Sequence, residues 1–561
     1  MDVIPDTTQT PVAVSAGQIS AFVWLKRHSL AVFLILTAIG SLRIVSTYDV
    51  FSHTTDEPAH IACGTEWLTT GTYRFEPQHP PLARVAAALG PYLAGGYSHP
   101  LPYDSDVWLA EIGGARISIA GLVILRRDGH YDRTLTLARL GMLPFFWVAS
   151  LVVYLWARRW LGEPGTALAV LLFTFLPPIL AHAGLATTDM ALTAFVGAAF
   201  LAACVWHERP CLSNSLLLGG LTGLALLSKF SSLAFLPVAV VSAAVWHAIA
   251  ERPSASTWLP GWRRTGLLAV AMLVCVLVVW AGYRFSFGSV NFVSFRMPAP
   301  EFYQGIQDVM YHNLRGHPSY LLGQHSRFGW WYFFPIVLAV KTPLAFLALV
   351  LVGGVTAAGN RGVRIALAFS LGILAFSMTS NINLGVRHIL PVYVGFSIVA
   401  AAGAQRLLVL ARSVKWTGWA LGGLLLWMVV TSSLSHPDYL PYFNMLAGSH
   451  PENILVDSDL DWGQDLKRLS HRLKEVGATS VAFKAFQFVD LKDLDFPALT
   501  PPDVLTPVTG WNAVSLSELK FSEGNADLRD VTPWQETIPP QEKIGKGIWL
   551  WYFPPNARIS R

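Results

Sequence analysis

The chain has 561 residues, of which 53% are hydrophobic and only 13% are charged, and its mean hydropathy is +0.45. Soluble globular proteins carry about 25% charged residues, so this composition excludes a soluble enzyme and indicates a polytopic membrane protein. The formal net charge of +5 is small for this length and gives no support to nucleic-acid binding.

The N-terminal residues do not resemble a cleavable signal peptide, because Asp2 and Asp6 stand where a basic region is expected. Residues 1–27 are predicted to be a cytoplasmic tail, and the first apolar segment is predicted to be an uncleaved anchor. A bilayer-spanning helix needs about 20 mostly apolar residues, and the hydropathy predicts eleven such spans. They are 28–47, 136–157, 165–181, 187–206, 213–228, 231–250, 265–283, 332–353, 363–379, 388–405 and 416–434.

The distribution of Lys and Arg predicts the orientation of these spans. With a cytoplasmic N-terminus, the inside loops hold thirteen basic residues, whereas the three short outside loops hold only Lys229 and Arg387. The odd number of spans then places the C-terminus outside. The sequence therefore predicts a multi-pass protein of the cell (inner) membrane.

Three outside segments are large, namely 48–135, 284–331 and 435–561, whereas the inside loops are short. The protein is therefore expected to work on its extracytoplasmic face. Within the first segment, residues 58–70 and 80–94 are predicted to be short amphipathic helices at the membrane interface. Each has a Pro near its first turn, where a missing N–H costs nothing.

Residues 435–561 are predicted to form a small extracytoplasmic α/β domain, which leaves 28–434 as the transmembrane domain. The pattern indicates strands at 453–457, 481–488 and 548–553 and a helix over 461–476. The four cysteines are scattered. Because Cys204 and Cys275 lie inside predicted spans, no disulfide framework is expected.

Three carboxylates are the candidate catalytic groups. Asp56 and Glu57 stand side by side after the first span, in a chain otherwise poor in charge. A carboxylate at a reacting hydroxyl can act as general base, and its neighbour can orient the nucleophile or tune the pKa of the base. Asp189 lies at the outer start of the fourth span and faces the same compartment. The alternative for Asp56 and Asp189 is a structural carboxylate at a helix start.

Four cations are expected near the outer leaflet. Arg139 starts the second span, Lys229 lies in a tight outside turn, and Lys341 lies about a third of the way into the eighth span. Arg387, followed by His388, precedes the tenth span. Arg forks and Lys point charges suit a phosphate group. The alternative is that these side chains reach towards lipid headgroups, although an unpaired charge at the depth of Lys341 costs roughly 2.5–3.5 kcal/mol.

Histidines crowd the first outside segment, at His53, His60, His79 and His99. Asp56 and His60 are four residues apart and can share a helix face. A divalent metal site is conceivable, but neither HxxxH nor HxH spacing occurs here, and interfacial hydrogen bonding is the expected role.

These motifs resemble a known family. Asp56-Glu57, followed by His79-Pro80-Pro81-Leu82, resembles the first outside loop of GT-C fold glycosyltransferases, namely the protein O-mannosyltransferase-like family (glycosyltransferase family 39) and the bacterial aminoarabinose transferases. Further segments that resemble this family or its bacterial members are Arg139–Pro144, Thr188-Asp189, Gly223–Lys229 with Pro237, Gly316–Gly323, Gly329–Pro335, Lys341–Pro343, Gly385–Pro391 and Asp457–Asp465.

The resemblance implies an inverting transfer of a hexosyl or pentosyl group from a polyprenyl-phosphate sugar to an acceptor hydroxyl. Asp56 would take the proton of the acceptor, and Glu57 and Asp189 would place the acceptor or support Asp56. The candidates for substrate binding are His79, Arg139, Lys229, Lys341, Arg387 and His388. The lipid tail would enter between helices, so the expected partners are donor, acceptor and membrane lipids.

Eukaryotic relatives carry a β-trefoil domain in a luminal loop, and residues 284–331 are too few to form one. The acceptor is therefore left open among a glycan, a lipid and a secreted polypeptide. The rival interpretation is a lipid or glycan transporter or flippase without catalysis, which would show internal repeats and broken helices at matching places of two halves. The sequence has no such symmetry.

Overall fold

The computed structural model describes residues 16–95, 114–126, 129–251, 261–290, 293–357, 359–486, 491–522 and 532–555. Most of the chain within these ranges is helical. Three helices are labelled for later use: α1 (Ala16–Val45), α2 (Glu57–Thr69) and α3 (Pro81–Leu93). The other α-helices are Gly114–Arg126, Tyr131–Leu140, Leu143–Trp160, Gly162–Thr174, Pro177–Ala183, Asp189–Glu208, Leu212–Ser228, Ser232–Glu251, Trp262–Gly282, Pro300–Arg315, Phe333–Lys341, Leu344–Thr356, Arg361–Ser377, Val392–Leu410, Trp416–Leu434, Leu466–Glu475, Leu516–Ser522 and Trp534–Thr537.

Each of the eleven predicted spans coincides with a helix or a bent helix pair, but the count of eleven is not confirmed. Among the described residues, seven helices are long and apolar enough to cross a membrane, and two bent pairs raise this number to nine. The remaining two predicted spans correspond to Leu212–Ser228 and Arg361–Ser377, of 17 residues each. The protein is a multi-pass membrane protein. Its first helix begins at Ala16, so part of the predicted tail is helical.

One bent pair lies at the eighth predicted span, where Phe333–Lys341 and Leu344–Thr356 meet at 115°. Asn444 satisfies the backbone groups that this break exposes. Its amide donates to the carbonyls of Ala339 and Thr342, at 2.6 and 2.7 Å, and its own N–H donates to Val340 at 2.9 Å. Non-helical backbone at membrane depth requires such partners, because lipid offers none.

The two helices predicted for the first outside segment both form, as α2 and α3. The first is not a surface helix, since most of its residues are buried. Glycines allow this close packing: a Cβ on Gly64 would lie 1.9 Å from the carbonyl oxygen of Arg84 in α3, and one on Gly121 would lie 1.8 Å from that of Pro58. Two neighbouring helices therefore fix the position of α2.

The described strands near the C-terminus are β5 (Ser480–Lys484), β6 (Ala498–Thr500), β7 (Gly510–Ser515), β8 (Glu542–Ile544) and β9 (Ile548–Phe553). They form one five-stranded mixed sheet, in the order β6-β5-β7-β9-β8. β5 pairs in parallel with β6 and β7, whereas β9 pairs antiparallel with β7 and β8. Two hairpins lie earlier, β1–β2 (Phe287–Val290 and Val293–Pro298) and β3–β4 (Ser319–Leu321 and Gln324–Ser326).

The strand predicted at 453–457 is wrong. The chain there forms two short 3-10 turns, Pro451–Asn453 and Asp457–Asp459. Its polar groups bond to loops instead of a neighbouring strand, since the N–H of Asp457 donates to Ser517 and the Ser458 hydroxyl donates to the Leu384 carbonyl. The helix predicted over 461–476 begins only at Leu466, because the backbone groups just before it also bond to distant loops. The strand over 548–553 is confirmed. The strand predicted over 481–488 is shorter than expected, because it ends at Lys484, and residues 487 and 488 lie outside the described residues.

Candidate active site

Asp56 lies at the N-terminus of α2 and makes no capping hydrogen bond there, so the structure does not support the helix-cap alternative. Its Oδ2 instead accepts from the Nη1 of Arg387 at 2.7 Å. The Asp56 side chain is 36% exposed, whereas that of Arg387 is 8% exposed and its guanidinium lies 4.1 Å from the ring centroid of Trp462. This carboxylate is therefore held in place and still open to a ligand.

Glu57, the neighbour of Asp56, is fully buried in a second ion pair. Its two oxygens accept from Nε and Nη2 of Arg139 at 2.9 and 2.8 Å, and also from the N–H groups of Ala186 and Thr54. Arg139 is 1% exposed and also donates to the carbonyls of residues 51 and 52. The pair thus closes the loop that carries Asp56 and leaves little room for a substrate phosphate at Arg139.

Asp189 and Lys229 form a third ion pair, with Nζ 2.6 Å from Oδ1. Asp189 opens the helix Asp189–Glu208, and Lys229 lies between the helices Leu212–Ser228 and Ser232–Glu251. Both are buried, and the second oxygen of Asp189 has no hydrogen-bond partner among the described residues. Each of the three predicted acids is therefore paired with one of the predicted cations.

Lys341 and His79, two other predicted substrate-binding residues, are not members of the three ion pairs just described. Nζ of Lys341 donates to the carbonyls of Leu440 and Asp459 and lies 4.1 Å from the ring centroid of Phe443, so it ties the helix break to the segment after the last span. His79 packs edge-on against His60, with ring centroids 5.3 Å apart.

His388 is half-buried, and the charges of Lys229, Arg387 and Asp189 act on its ring. His99 lies outside the described residues. Among the residues that the structure does describe, no group of three or more His, Cys, Asp or Glu side chains could hold a metal ion.

Segment 457–465 forms one wall of the site. The N–H groups of Ser52 and Thr55 donate to the carbonyls of Gln464 and Trp462, both at 3.1 Å. The N–H of Val386, next to Arg387, donates to Asp459 at 3.1 Å. This segment therefore positions both members of the Asp56–Arg387 pair, a role that the sequence motif alone does not show.

Several buried polar atoms around these ion pairs have no hydrogen-bond partner among the described residues. They include Nε of Arg387, Nδ1 of His79, Nδ1 of His182 and Oδ2 of Asp189. The charges of Asp189, Lys229 and Arg387 act on the His182 ring, so this histidine belongs to the same region. Unpaired buried polar atoms are costly and rare, and their grouping indicates a place for a polar ligand.

The electrostatics favour an ionised Asp56. Desolvation raises the pKa of this partly exposed carboxyl group, but the favourable charges and hydrogen bonds around it, to which Arg387 contributes most, together outweigh desolvation, and the net pKa lies below its ordinary value. Burial also raises the pKa of a second carboxyl group, that of Asp457, to about 7. At neutral pH Asp56 can therefore accept a proton but has none to donate.

Sequence reasoning did not single out Arg84, which is 1% exposed and lies in α3. It donates to Nδ1 of His60 at 2.9 Å, to the Tyr73 hydroxyl at 3.0 Å and to the Glu76 carbonyl at 2.6 Å. The sequence signal that could have identified Arg84 is its position two residues after the His-Pro-Pro-Leu motif. His60 lies one turn after Asp56, as the spacing predicted.

Comparisons with known proteins fit this architecture. A sequence model for the family described as dolichyl-phosphate-mannose-protein mannosyltransferase matches residues 134–280. No curated protein sequence matches the chain.

Among solved structures, ArnT from Cupriavidus metallidurans bound to undecaprenyl phosphate has a TM-score of 0.50 at 12% identity, over 92% of this chain and 97% of ArnT. An Archaeoglobus fulgidus oligosaccharyltransferase tethered to an acceptor peptide has a TM-score of 0.40 at 13% identity, over 81% and 58% of the two chains. The chain has the GT-C fold of membrane glycosyltransferases, as its motifs predicted.

Proposed function

We propose that the protein transfers a sugar from a polyprenyl-phosphate donor to an acceptor hydroxyl, with inversion at the anomeric carbon. The observation that carries the proposal is the Asp56–Arg387 pair. Its partly exposed, ionised carboxylate stands among buried polar atoms that have no hydrogen-bond partner in the ranges the structure describes. The fold supports the donor class, because ArnT, which shares it, was solved with undecaprenyl phosphate bound.

In the proposed reaction Asp56 is the general base. It takes the proton from the acceptor hydroxyl as that oxygen bonds to the anomeric carbon, and the bond from this carbon to the phosphate oxygen breaks. The polyprenyl phosphate leaves with the bonding electron pair and gains one negative charge. General base catalysis contributes typically about 10²–10⁴-fold, and positioning of the two substrates supplies much of the remainder.

The phosphate is proposed to bind near Arg387 and Lys229. Nε of Arg387 is buried and has no partner within the described part of the chain, so it can donate to a phosphate oxygen while Nη1 still holds Asp56. Charge-assisted donors of this kind stabilise the charge that develops on a leaving phosphate. Glu57 and Arg139 are proposed to act indirectly, by fixing the loop that carries Asp56.

The site is proposed to face the extracytoplasmic side of the cell (inner) membrane, with residues 1–27 in the cytoplasm and 435–561 outside. The orientation rests on the excess of Lys and Arg in the inside loops. The proposal covers a hexosyl or pentosyl donor and a glycan, lipid or protein acceptor.

The test uses purified full-length protein in lipid nanodiscs and a panel of labelled polyprenyl-phosphate hexoses and pentoses, incubated with membrane extracts. The wild type is expected to label one acceptor class. Asp56→Asn is expected to lower transfer at least about 100-fold with unchanged donor binding, because the amide cannot accept the proton. Asp132→Asn is the control, since Asp132 is 58% exposed and pairs with Lys467 at the surface. Full activity of Asp56→Asn would remove the general base from the proposal.

A further inference from the structure

His60 carries its ring proton on one defined nitrogen. The Nε of Arg84 donates to its Nδ1 at 2.9 Å, and a guanidinium group has donors only. Nδ1 must therefore accept, which places the proton on Nε2 when the ring is neutral. Within the part of the chain that the structure describes, Nε2 of His60 has no hydrogen-bond partner.

The neighbours of His60 hold the ring rigidly. Arg84 is itself fixed by the Tyr73 hydroxyl, by the Glu76 carbonyl and by an ion pair with the Glu76 side chain. The close approach of α2 and α3 at Gly64, one turn beyond His60, brings Arg84 within reach. His79 also packs edge-on against this ring, with the ring centroids 5.3 Å apart. The donor at Nε2 is therefore oriented before any ligand binds.

The surroundings keep the ring neutral. Burial lowers the pKa of His60 most, Arg84 lowers it further, and the result is a pKa of about 3. The other charges that act on His60 are those of Asp56, Asp189 and Arg387, and the two carboxylates do not offset burial. His60 is thus a neutral N–H donor at physiological pH.

A carboxylate acceptor lies one helical turn before His60, since the backbone N–H of His60 donates to the Asp56 carbonyl at 3.2 Å and the Asp56 side chain is 36% exposed. The charge of Asp189, whose buried Oδ2 has no partner among the described residues, also acts on the His60 ring. A hydroxyl group accepts one hydrogen bond and donates another, so it matches an N–H donor beside a carboxylate acceptor.

We propose that Nε2–H of His60 donates a hydrogen bond to a hydroxyl of the sugar being transferred, and that Arg84 is the positioning residue that fixes the tautomer. The identity of this ligand rests on the proposed function, whereas the tautomer does not.

The kinetic test compares His60→Gln with His60→Ala in nanodiscs. The Gln amide can accept from Arg84 through its oxygen and offer N–H to the ligand, whereas Ala does neither. We expect kcat/KM for the donor to fall about 10–100-fold in His60→Ala and less than about 3-fold in His60→Gln. His450→Gln is the control, because the His450 side chain is 64% exposed.

Donor analogues identify the contacted hydroxyl. Removing that hydroxyl from the sugar is expected to lower wild-type kcat/KM about tenfold and to have no further effect in His60→Ala, whereas other positions affect both proteins equally. Two results together would overturn the contact between His60 and the sugar hydroxyl. They are an equal fall of kcat/KM in His60→Gln and His60→Ala, and the absence of any donor analogue that affects His60→Ala differently from the wild type.

The tautomer is measured without any turnover, by ¹⁵N NMR of histidine-labelled protein, with His60→Gln to assign the signal. We expect Nδ1 without a proton and Nε2 with one from about pH 5 to pH 8, and loss of this pattern in Arg84→Gln. A proton on Nδ1 or a charged ring in this range would overturn the inference whatever the activity. Absence of transfer by the wild type from every donor would contradict the proposed function and the sugar ligand, while the NMR result would still decide the role of Arg84.

Discussion

Single residues in the site are distinguished by exposure more than by charge. Glu57 and Arg139 are both almost fully enclosed, and each also bonds to backbone groups of the protein. Asp56 is 36% exposed and has one strong partner. Removing one member of a buried pair costs about 3–5 kcal/mol, because the other charge stays buried and alone. The buried pair therefore maintains the loop, and the exposed carboxylate is free for chemistry.

The Arg387–Asp56 contact predicts a pH dependence. Transfer needs ionised Asp56, so the rate falls as pH drops through the pKa of this group, which Arg387 holds below its ordinary value against burial. Arg387→Gln removes the largest of the contributions that oppose desolvation and therefore raises the pKa of Asp56. The acid limb of the kcat/KM profile is therefore expected to move to higher pH in this variant.

The shift, rather than the overall loss of rate, is the relevant measurement, since Arg387 is also proposed to contact phosphate. Arg315→Gln, an exposed cation at the end of its helix, should leave the limb unchanged. An acid limb at the same pH in Arg387→Gln and the wild type would show that Arg387 does not set the ionisation of Asp56.

At the scale of elements, the position of α2 depends on glycines at two close crossings. Gly64 faces backbone and Ala88 of α3, and Gly121 faces backbone of α2. Backbone atoms cannot move aside as the end of a flexible side chain can. A larger residue at either crossing must displace a whole helix, and with it Asp56 and His60.

Gly64→Ala is accordingly expected to lower both the melting temperature and transfer activity, although alanine favours helix. Its Cβ would lie 1.9 Å from the Arg84 carbonyl oxygen and 2.8 Å from the Ala88 Cβ. Gly220→Ala is the matched control, also in a helix but with nothing within 4 Å, and should be neutral or stabilising by up to about 1 kcal/mol. Thermal unfolding in detergent and a transfer assay measure the two effects. If Gly64→Ala and Gly220→Ala had equal effects on the melting temperature and on transfer, the close packing of α2 against α3 at Gly64 would be contradicted.

Much of this could be predicted from the sequence, where the signal is local. Hydropathy located the helices. The charge-poor surroundings singled out Asp56 and Glu57, and the outer start of a predicted span singled out Asp189. The pairing of these acids with Arg387, Arg139 and Lys229 could not be predicted, because the partners are 331, 82 and 40 residues apart. The false strand at 453–457 has the same origin, since its apolar residues are those of a strand while its polar groups bond to distant loops.

At the scale of the whole molecule, one natural cysteine can report the orientation. Cys211 is exposed and lies in a predicted inside loop, whereas Cys63 is buried and Cys204 and Cys275 are half-buried within predicted spans. A membrane-impermeant maleimide is therefore expected to leave intact cells unlabelled and to label permeabilised cells, detected as a mass increase of the purified protein.

Cys211→Ser should abolish that labelling, and Asp503→Cys in the same background should be labelled in intact cells, because Asp503 is exposed in the predicted outside region. Labelling of Cys211 from outside would reverse the predicted topology and place the site on the cytoplasmic face.

The helix break at residues 342 and 343 imposes an order on biosynthesis. The carbonyls of Leu440 and Asp459 bond to the Lys341 ammonium at this break, and the Asn444 amide bonds to the Thr342 carbonyl. Asn444 follows Thr342 by 102 residues. At ribosomal rates of about 5–20 residues per second, the break waits roughly 5–20 s for Asn444 to be made. Until then its exposed carbonyls and the Lys341 ammonium need water or the insertion machinery around them. The bent helix pair can therefore settle in lipid only after the chain beyond the last predicted span has been synthesised, so maturation ends with the segment that closes the site.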